Sequence, residues 1–177
     1  MSKEINSNIF LIGFMGAGKS TIAKALQREL GFPLVEMDQR IVEEQGMSIN
    51  DIFAQYGEAH FRDIESQLIV DLGEQEPSIV SCGGGVVVRP ENTQNMKKSG
   101  RIVFLKATPE TIYERVKNST DRPILNGHMN VEYIAELMEK RRALYEEAAD
   151  ITIQTDGKTR EQICGEIIGK LRNTNEV

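Results

Sequence analysis

The chain has 177 residues, 40% of them hydrophobic and 27% charged, with a formal net charge of −6. This is one domain's worth of residues with enough apolar material for a sizeable core, and the composition excludes a disordered chain. The acidic balance excludes a general nucleic-acid binder, which needs clustered Lys and Arg, so any anion site must be local.

Met1 to Asn8 is polar, and the apolar run Ile9 to Ile12 is too short for a signal-peptide core or a membrane span. Neither secretion nor membrane anchoring is expected. The cysteines Cys82 and Cys164 and the histidines His60 and His128 are scattered without zinc spacing or a disulfide framework. Ordinary buried thiols in a reducing cytoplasm are expected.

Strand and helix signals alternate. Asn8 to Ile12 reads as a buried strand ending at Gly13. Lys19 to Leu30 places Ile22, Ala23, Leu26 and Leu30 at helical spacing, and Gly31 stops it. Pro33 to Met37 is a second strand. Ser48, with Asp51 three residues on, begins a helix, and a further helix carries Phe61, Ile64, Leu68 and Leu72 on one face. Ser78 to Cys82 is a third strand and runs into three glycines. Arg101 to Lys106 is a fourth. Thr108, Pro109 and Glu110 read as N-cap, first-position proline and first-turn acid. Lys117 to His128 is polar and aperiodic, a loop. Asn130 to Ala149 is a long helix, Ile151 to Gln154 the last strand, and Thr159 with Gln162 caps a final helix. This alternation predicts a parallel sheet with helices on both faces, whose ligands sit beyond the carboxyl ends of the strands.

Gly13-Phe-Met-Gly16-Ala17-Gly18-Lys19-Ser20 satisfies the P-loop pattern in full, between a strand and a helix. Such a loop turns successive backbone N–H groups inward at a helix N-terminus and cradles phosphate. Lys19 would reach the outer phosphates and Ser20 would ligate Mg²⁺. The size excludes helicases and transporter ATPases, and no Asn-Lys-x-Asp guanine motif occurs, which leaves small-molecule kinases. Glu36 and Asp38 end the second strand, and alternation puts both on one side. One would order Mg²⁺-bound water while the other accepts a substrate hydroxyl proton; Asp38 as a mere cap of a helix near Gln39 is the alternative.

Gly83, Gly84 and Gly85 allow a ligand close to the backbone, or form only a turn. Arg141 lies on an apolar stripe with Ile134, Leu137, Met138 and Tyr145, and Arg62 edges another. An arginine in such a place needs an anionic partner, an internal carboxylate or a substrate carboxylate held by two parallel bonds, unless it merely snorkels its head out to water. Arg122 sits in the Lys117–His128 loop, which is either a plain solvated loop or a lid whose arginine closes over phosphates.

Over nearly its whole length the sequence resembles the shikimate kinase family. The resemblance rests on Gly-Phe-Met-Gly-Ala-Gly-Lys-Ser, the acidic pair ending in Asp38, Phe61-Arg62-x-x-Glu65, Gly83 to Gly85, Arg122-Pro123, and Arg141 four before Tyr145. It implies a three-layer P-loop fold of the nucleoside-monophosphate-kinase type, with five parallel strands, as one domain over 1–177 with a lid at about 117–128. It implies ATP held by Gly13, Gly16, Ala17, Gly18, Lys19, Ser20 and Thr21, with Arg115 near adenine and Arg122 arriving with the lid. Asp38 would contact the substrate hydroxyls, Arg62 and Arg141 the shikimate carboxylate, and Gly83, Gly84 and Gly85 the ring. The implied reaction is phosphorylation of the shikimate 3-hydroxyl by Mg·ATP, with Lys19, Asp38 and Arg122 acting on the transferred group, in a cytoplasmic monomer. The family often has Asp-x-Asp where this chain has Glu36-Met37-Asp38. Rival readings are another metabolite kinase, such as a gluconate kinase, or a nucleotide-binding regulator without catalysis.

Overall fold

Every residue of β1 (Asn8–Ile12) is buried, because its apolar run has no polar face to offer solvent. A computed structural model describes residues 4–118 and 130–173. After β1 come α1 (Lys19–Leu30), β2 (Leu34–Glu36), α2 (Met37–Gln45), α3 (Ile49–Tyr56) and α4 (Glu58–Gly73). Then follow β3 (Ile79–Ser81), a single 3₁₀ turn (Val86–Val88), α5 (Pro90–Ser99), β4 (Gly100–Lys106) and α6 (Pro109–Val116). The chain closes with α7 (Val131–Ala148), β5 (Ile151–Gln154) and α8 (Arg160–Asn173). The sheet has five strands in the order β2-β3-β1-β4-β5, and every pairing is parallel. This is the expected three-layer architecture.

Alternation along the strands feeds two cores. Ile9, Leu11, Val103, Leu105, Ile151 and Ile153 pack on one face with α1 and α8 residues such as Leu26 and Ile167. Phe10, Ile12, Val80, Ile102 and Phe104 pack on the other with Leu68, Ile69 and Met96. Helix α7 joins both, with Ile134 in the first cluster and Tyr145 and Ala148 in the second. Truncating a buried aromatic such as Phe10 to Ala would cost about 3–5 kcal/mol.

Asn8 is a buried polar residue with its bonds made. Its side chain accepts from the Ser78 amide at 2.7 Å and donates to the Leu72 carbonyl and the Ser99 hydroxyl. This ties α4 and α5 to the starts of β1 and β3. Gly100 lies so close that a Cβ there would be 2.0 Å from the Asn8 carbonyl oxygen.

Two expectations change. The strand over Pro33–Met37 ends at Glu36, because Met37 turns into α2 and buries with Ile41 one helical turn on. The same-side argument for Glu36 and Asp38 therefore fails: Glu36 is the last strand residue and Asp38 lies in the first turn of a helix. Helix α5 was not expected, although Pro90 starts it and Lys97 and Lys98 end it. Only Asn92 and Met96 are buried there, so no apolar stripe announces it. Other helix starts follow their caps: Ser48 accepts from Asp51 N, Asn130 from Tyr133 N, and Thr159 and Gln162 bond reciprocally.

Candidate active site

β1 and β3 are neighbours, with Leu11 opposite Ser81, and β2 lies next to β3 with Glu36 opposite Ser81. The loops after these strands therefore emerge side by side. The loop after β1 is the P-loop. Gly13, Gly16 and Gly18 all have positive φ (152°, 81° and 99°), which side-chain-bearing residues rarely adopt. Gly18 caps α1 directly, so the loop's amides meet the positive end of that helix. Lys19 curls back over the loop and donates to the Gly13 carbonyl at 2.5 Å and the Phe14 carbonyl at 3.4 Å. Ala17 is buried and Thr21 exposed. Arg115, from α6, reaches across to donate to the Gly16 carbonyl at 3.1 Å.

At the end of β2, Glu36 accepts from the Ser20 hydroxyl at 3.0 Å. Asp38 turns to the next loop: its Oδ1 is 2.8 Å from where a Cβ on Gly83 would stand. Glu65 Oε2, on α4, is 3.2 Å from the same point. Gly83 is thus hemmed by two carboxylates. The two acids of the Glu36-x-Asp38 segment have parted, one toward the P-loop serine and one toward the glycine triplet.

Arg62 and Arg141 come to the remaining glycines. A Cβ on Gly85 would fall 2.3–2.6 Å from three guanidinium atoms of Arg62, and one on Gly84 would fall 3.5 Å from an Arg141 nitrogen. The Gly84 position also lies 3.8 Å from the Met15 amide nitrogen. The triplet therefore touches the P-loop at Gly84. Arg62 is buried and donates through one terminal nitrogen to Glu65 at 3.0 Å and through the other to Glu58 at 3.3 Å. Its Nε and Glu65 Oε2 are both buried with no hydrogen-bond partner. Burial pushes the Glu65 carboxyl above the ordinary range against the pull of Arg62, and Asp38 adds to the rise.

Lys19, Ser20, Glu36, Asp38, Arg62, Gly83, Gly84, Gly85 and Arg141 are accordingly placed around one crevice at the P-loop. Arg122 and nearly all of the expected lid lie outside the described residues. Sequence reasoning missed Tyr145, whose hydroxyl donates to the Gly84 carbonyl and whose ring stacks on Phe104. It also gave no role to Glu58 or Glu65. Asp156 was missed too: it accepts from the Thr108 amide and hydroxyl, each at 3.0 Å, and so fastens the start of the helix that carries Arg115. These hydrogen bonds, with others from Thr111 and Gln154, overcome partial burial and hold its carboxyl well below the usual range. Cys82 is fully buried beside the site, and burial pushes its thiol far up against the opposing pull of Lys19, so it is an inert neighbour. A cavity of about 320 Å³ is lined by Phe14 and Ala17 of the P-loop with Leu105, Met138 and Tyr145, and also by Lys106, Glu139 and Arg142.

A P-loop opening α1, side by side with a crevice of carboxylates and guanidinium groups, defines the class of P-loop phosphotransferases. The family model described as shikimate kinase matches residues 15–172. A shikimate kinase of Dehalococcoides mccartyi is 43% identical over 169 residues, 96% of each chain. The structure of a shikimate kinase from Acinetobacter baumannii in complex with shikimate superposes with a TM-score of 0.88 at 29% identity, covering 97% of this chain and 96% of that one. The chain belongs to the shikimate kinase family, whose members are ATP-using kinases with an alcohol acceptor. A gluconokinase from Sinorhizobium meliloti, covering 96% of this chain and 93% of its own, reaches a TM-score of 0.58 at 16% identity, a likeness of fold alone.

Proposed function

We propose that the enzyme transfers the terminal phosphoryl group of ATP to the 3-hydroxyl of shikimate, with Arg62 and Arg141 holding the substrate carboxylate. The observation that carries this reading is the meeting of both guanidinium groups at Gly84 and Gly85, where the triplet touches the P-loop. Arg62 brings its terminal nitrogens there and keeps a buried Nε without a hydrogen-bond partner, a donor that suits a carboxylate oxygen. The carboxylate end lies at the arginines and the hydroxyl end at Asp38 and Gly83, so the ring spans the triplet.

Asp38 orients the reacting hydroxyl and accepts its proton as the oxygen attacks. Lys19 exchanges its bonds to the Gly13 and Phe14 carbonyls for phosphate oxygens, and the loop's amides take the rest of the charge. Gly13, Gly16, Ala17, Gly18, Ser20 and Thr21 complete the nucleotide site, with Arg115 at its outer edge. Ser20 and Glu36 bring a hydroxyl and a carboxylate within 3.0 Å of each other, oxygen donors of the kind a hard divalent cation takes. They would hold Mg²⁺, Ser20 directly and Glu36 through water; when bound, the ion neutralises phosphate charge. Arg122 belongs to the same reading as the lid residue that meets the transferred group. A cytoplasmic monomer is its simplest form; no described helix is long and apolar enough to cross a membrane.

The test is an ADP-release assay over shikimate, gluconate and other hydroxy acids, repeated with Arg62→Ala and Arg141→Ala and with a shikimate analogue lacking the carboxylate. Turnover with shikimate, and loss in both variants of the preference over the analogue, is the expected result. Variants that still discriminate as the wild type does would refute the carboxylate role.

A further inference from the structure

We infer that Glu58 is a resident competitor for the substrate carboxylate: it pairs with Arg62 and must leave when the substrate binds. The inference rests on the reading of Arg62 given above. The guanidinium has two carboxylate partners of very different kinds. Glu65 is 1% exposed, bonds at 3.0 Å and cannot swing away. Glu58 has a side chain 62% exposed, bonds at 3.3 Å and sits in the first turn of α4, free to rotate into solvent.

Glu58 adds little to the placing of Arg62, which other contacts already fix. Glu65 holds one terminal nitrogen, the backbone of Gly85 crowds the guanidinium, and the Phe61 ring lies 5.2 Å beneath it. What Glu58 does contribute is charge. With both acids ionised, the Glu58–Arg62–Glu65 group carries one more negative than positive charge. An arriving carboxylate would meet a guanidinium already over-neutralised. The nitrogen that Glu58 holds is next to the partnerless Nε, and these two atoms form the edge that a carboxylate grips with two bonds. Departure of Glu58 frees that edge and removes one negative charge.

A plainer role for Glu58 is support of α4, since an acid in the first turn suits the helix dipole. The two roles separate by measurement. Shikimate binding is followed by calorimetry without nucleotide for wild type, Glu58→Gln, Arg62→Ala and the double variant, with Tm recorded for each. An exposed ion pair is weak, so Glu58→Gln is expected to tighten shikimate binding by about two- to fivefold. In the Arg62→Ala background the same change is expected to do nothing. An unchanged or weaker Kd in Glu58→Gln, with Arg62→Ala still impaired, would overturn the competition while leaving the carboxylate reading intact. Tightening that persists without Arg62 would also overturn it, because it would then be general repulsion. Arg62→Ala binding shikimate as wild type does would instead remove the reading on which the inference rests. A fall in Tm alone, with Kd unmoved, assigns Glu58 to the helix and overturns the proposal.

Discussion

Gly85→Ala separates the demands of the backbone from those of the site. Gly85 has φ −99° and ψ 9°, a conformation open to alanine, so the chain itself raises no objection. The objection is local: the new Cβ would lie 2.3, 2.6 and 2.6 Å from guanidinium atoms of Arg62. Arg62 must move, and Glu65 holds it by a buried bond of 3.0 Å. Overpacking of this kind costs about 1–3 kcal/mol of stability. A displaced guanidinium also forfeits a charge-assisted contact to the substrate carboxylate worth about 1.5–3 kcal/mol, which raises KM for shikimate about 10- to 150-fold. KM for ATP should hardly change, since the atoms nearest the new methyl all belong to Arg62. The control is Gly169→Ala in α8, where nothing lies within 4 Å of the added methyl. It should raise stability by up to about 1 kcal/mol and leave both KM values alone. The assay is steady-state kinetics with each substrate varied, alongside thermal melts. Wild-type KM for shikimate in Gly85→Ala would show that Arg62 does not act at this edge of the crevice.

Lys19→Ala should lower kcat by about 10²–10³-fold with Tm almost unchanged, measured by coupled ADP assay and melting, as expected when a charge-stabilising donor is lost from a partly exposed loop. Glu36→Ala should raise the Mg²⁺ concentration for half-maximal rate while leaving shikimate binding intact; an unmoved Mg²⁺ titration takes Glu36 out of the metal's surroundings. Glu65→Gln tests the sign of a pH dependence. A carboxyl raised by burial binds its proton more tightly folded than unfolded, so wild-type stability falls as pH rises from about 4.5, the ordinary value, through the higher folded one. Glutamine cannot ionise, so the variant's melting temperature should match wild type below that window, exceed it increasingly through the window and keep a constant lead above it. Parallel curves across pH 4 to 8 would contradict the direction of the shift.

What the sequence made legible was what contiguous residues decide. The P-loop is a run from Gly13 to Ser20 whose glycines and flanking strand and helix are all local, and the structure follows it residue by residue. Arg62 and Arg141 were legible as polar residues at the edge of or on apolar stripes, which either a partner or snorkelling explains. Their partners were not, because those depend on packing. Tyr145 reaches Gly84 across 61 residues, and Asp156 reaches Thr108 across 48. Glu58 and Glu65 sit within a turn of Arg62, but helical spacing alone does not say which acid is buried and which exposed. The β2–α2 boundary was misplaced because Met37 suits a strand as well as a helix, and burial against Ile41 decided the matter.

A chain of net charge −6 that binds two anions side by side must create its positive potential locally. The P-loop does so largely with backbone amides and a helix end, which add no formal charge and need no counter-ion. The substrate side cannot, because a carboxylate needs a planar pair of donors, and a buried guanidinium needs a companion before any substrate arrives. Glu65 meets that need permanently, and its carboxyl is driven up by burial as a consequence. Glu58 meets it provisionally. A substrate without a carboxylate gains nothing by displacing Glu58 and leaves Arg62 with the partner it already has. One with a carboxylate exchanges an exposed, long contact of 3.3 Å for a desolvated bidentate one. Selectivity for an acid over a neutral polyol then comes from the difference between those two contacts, rather than from the total attraction of Arg62.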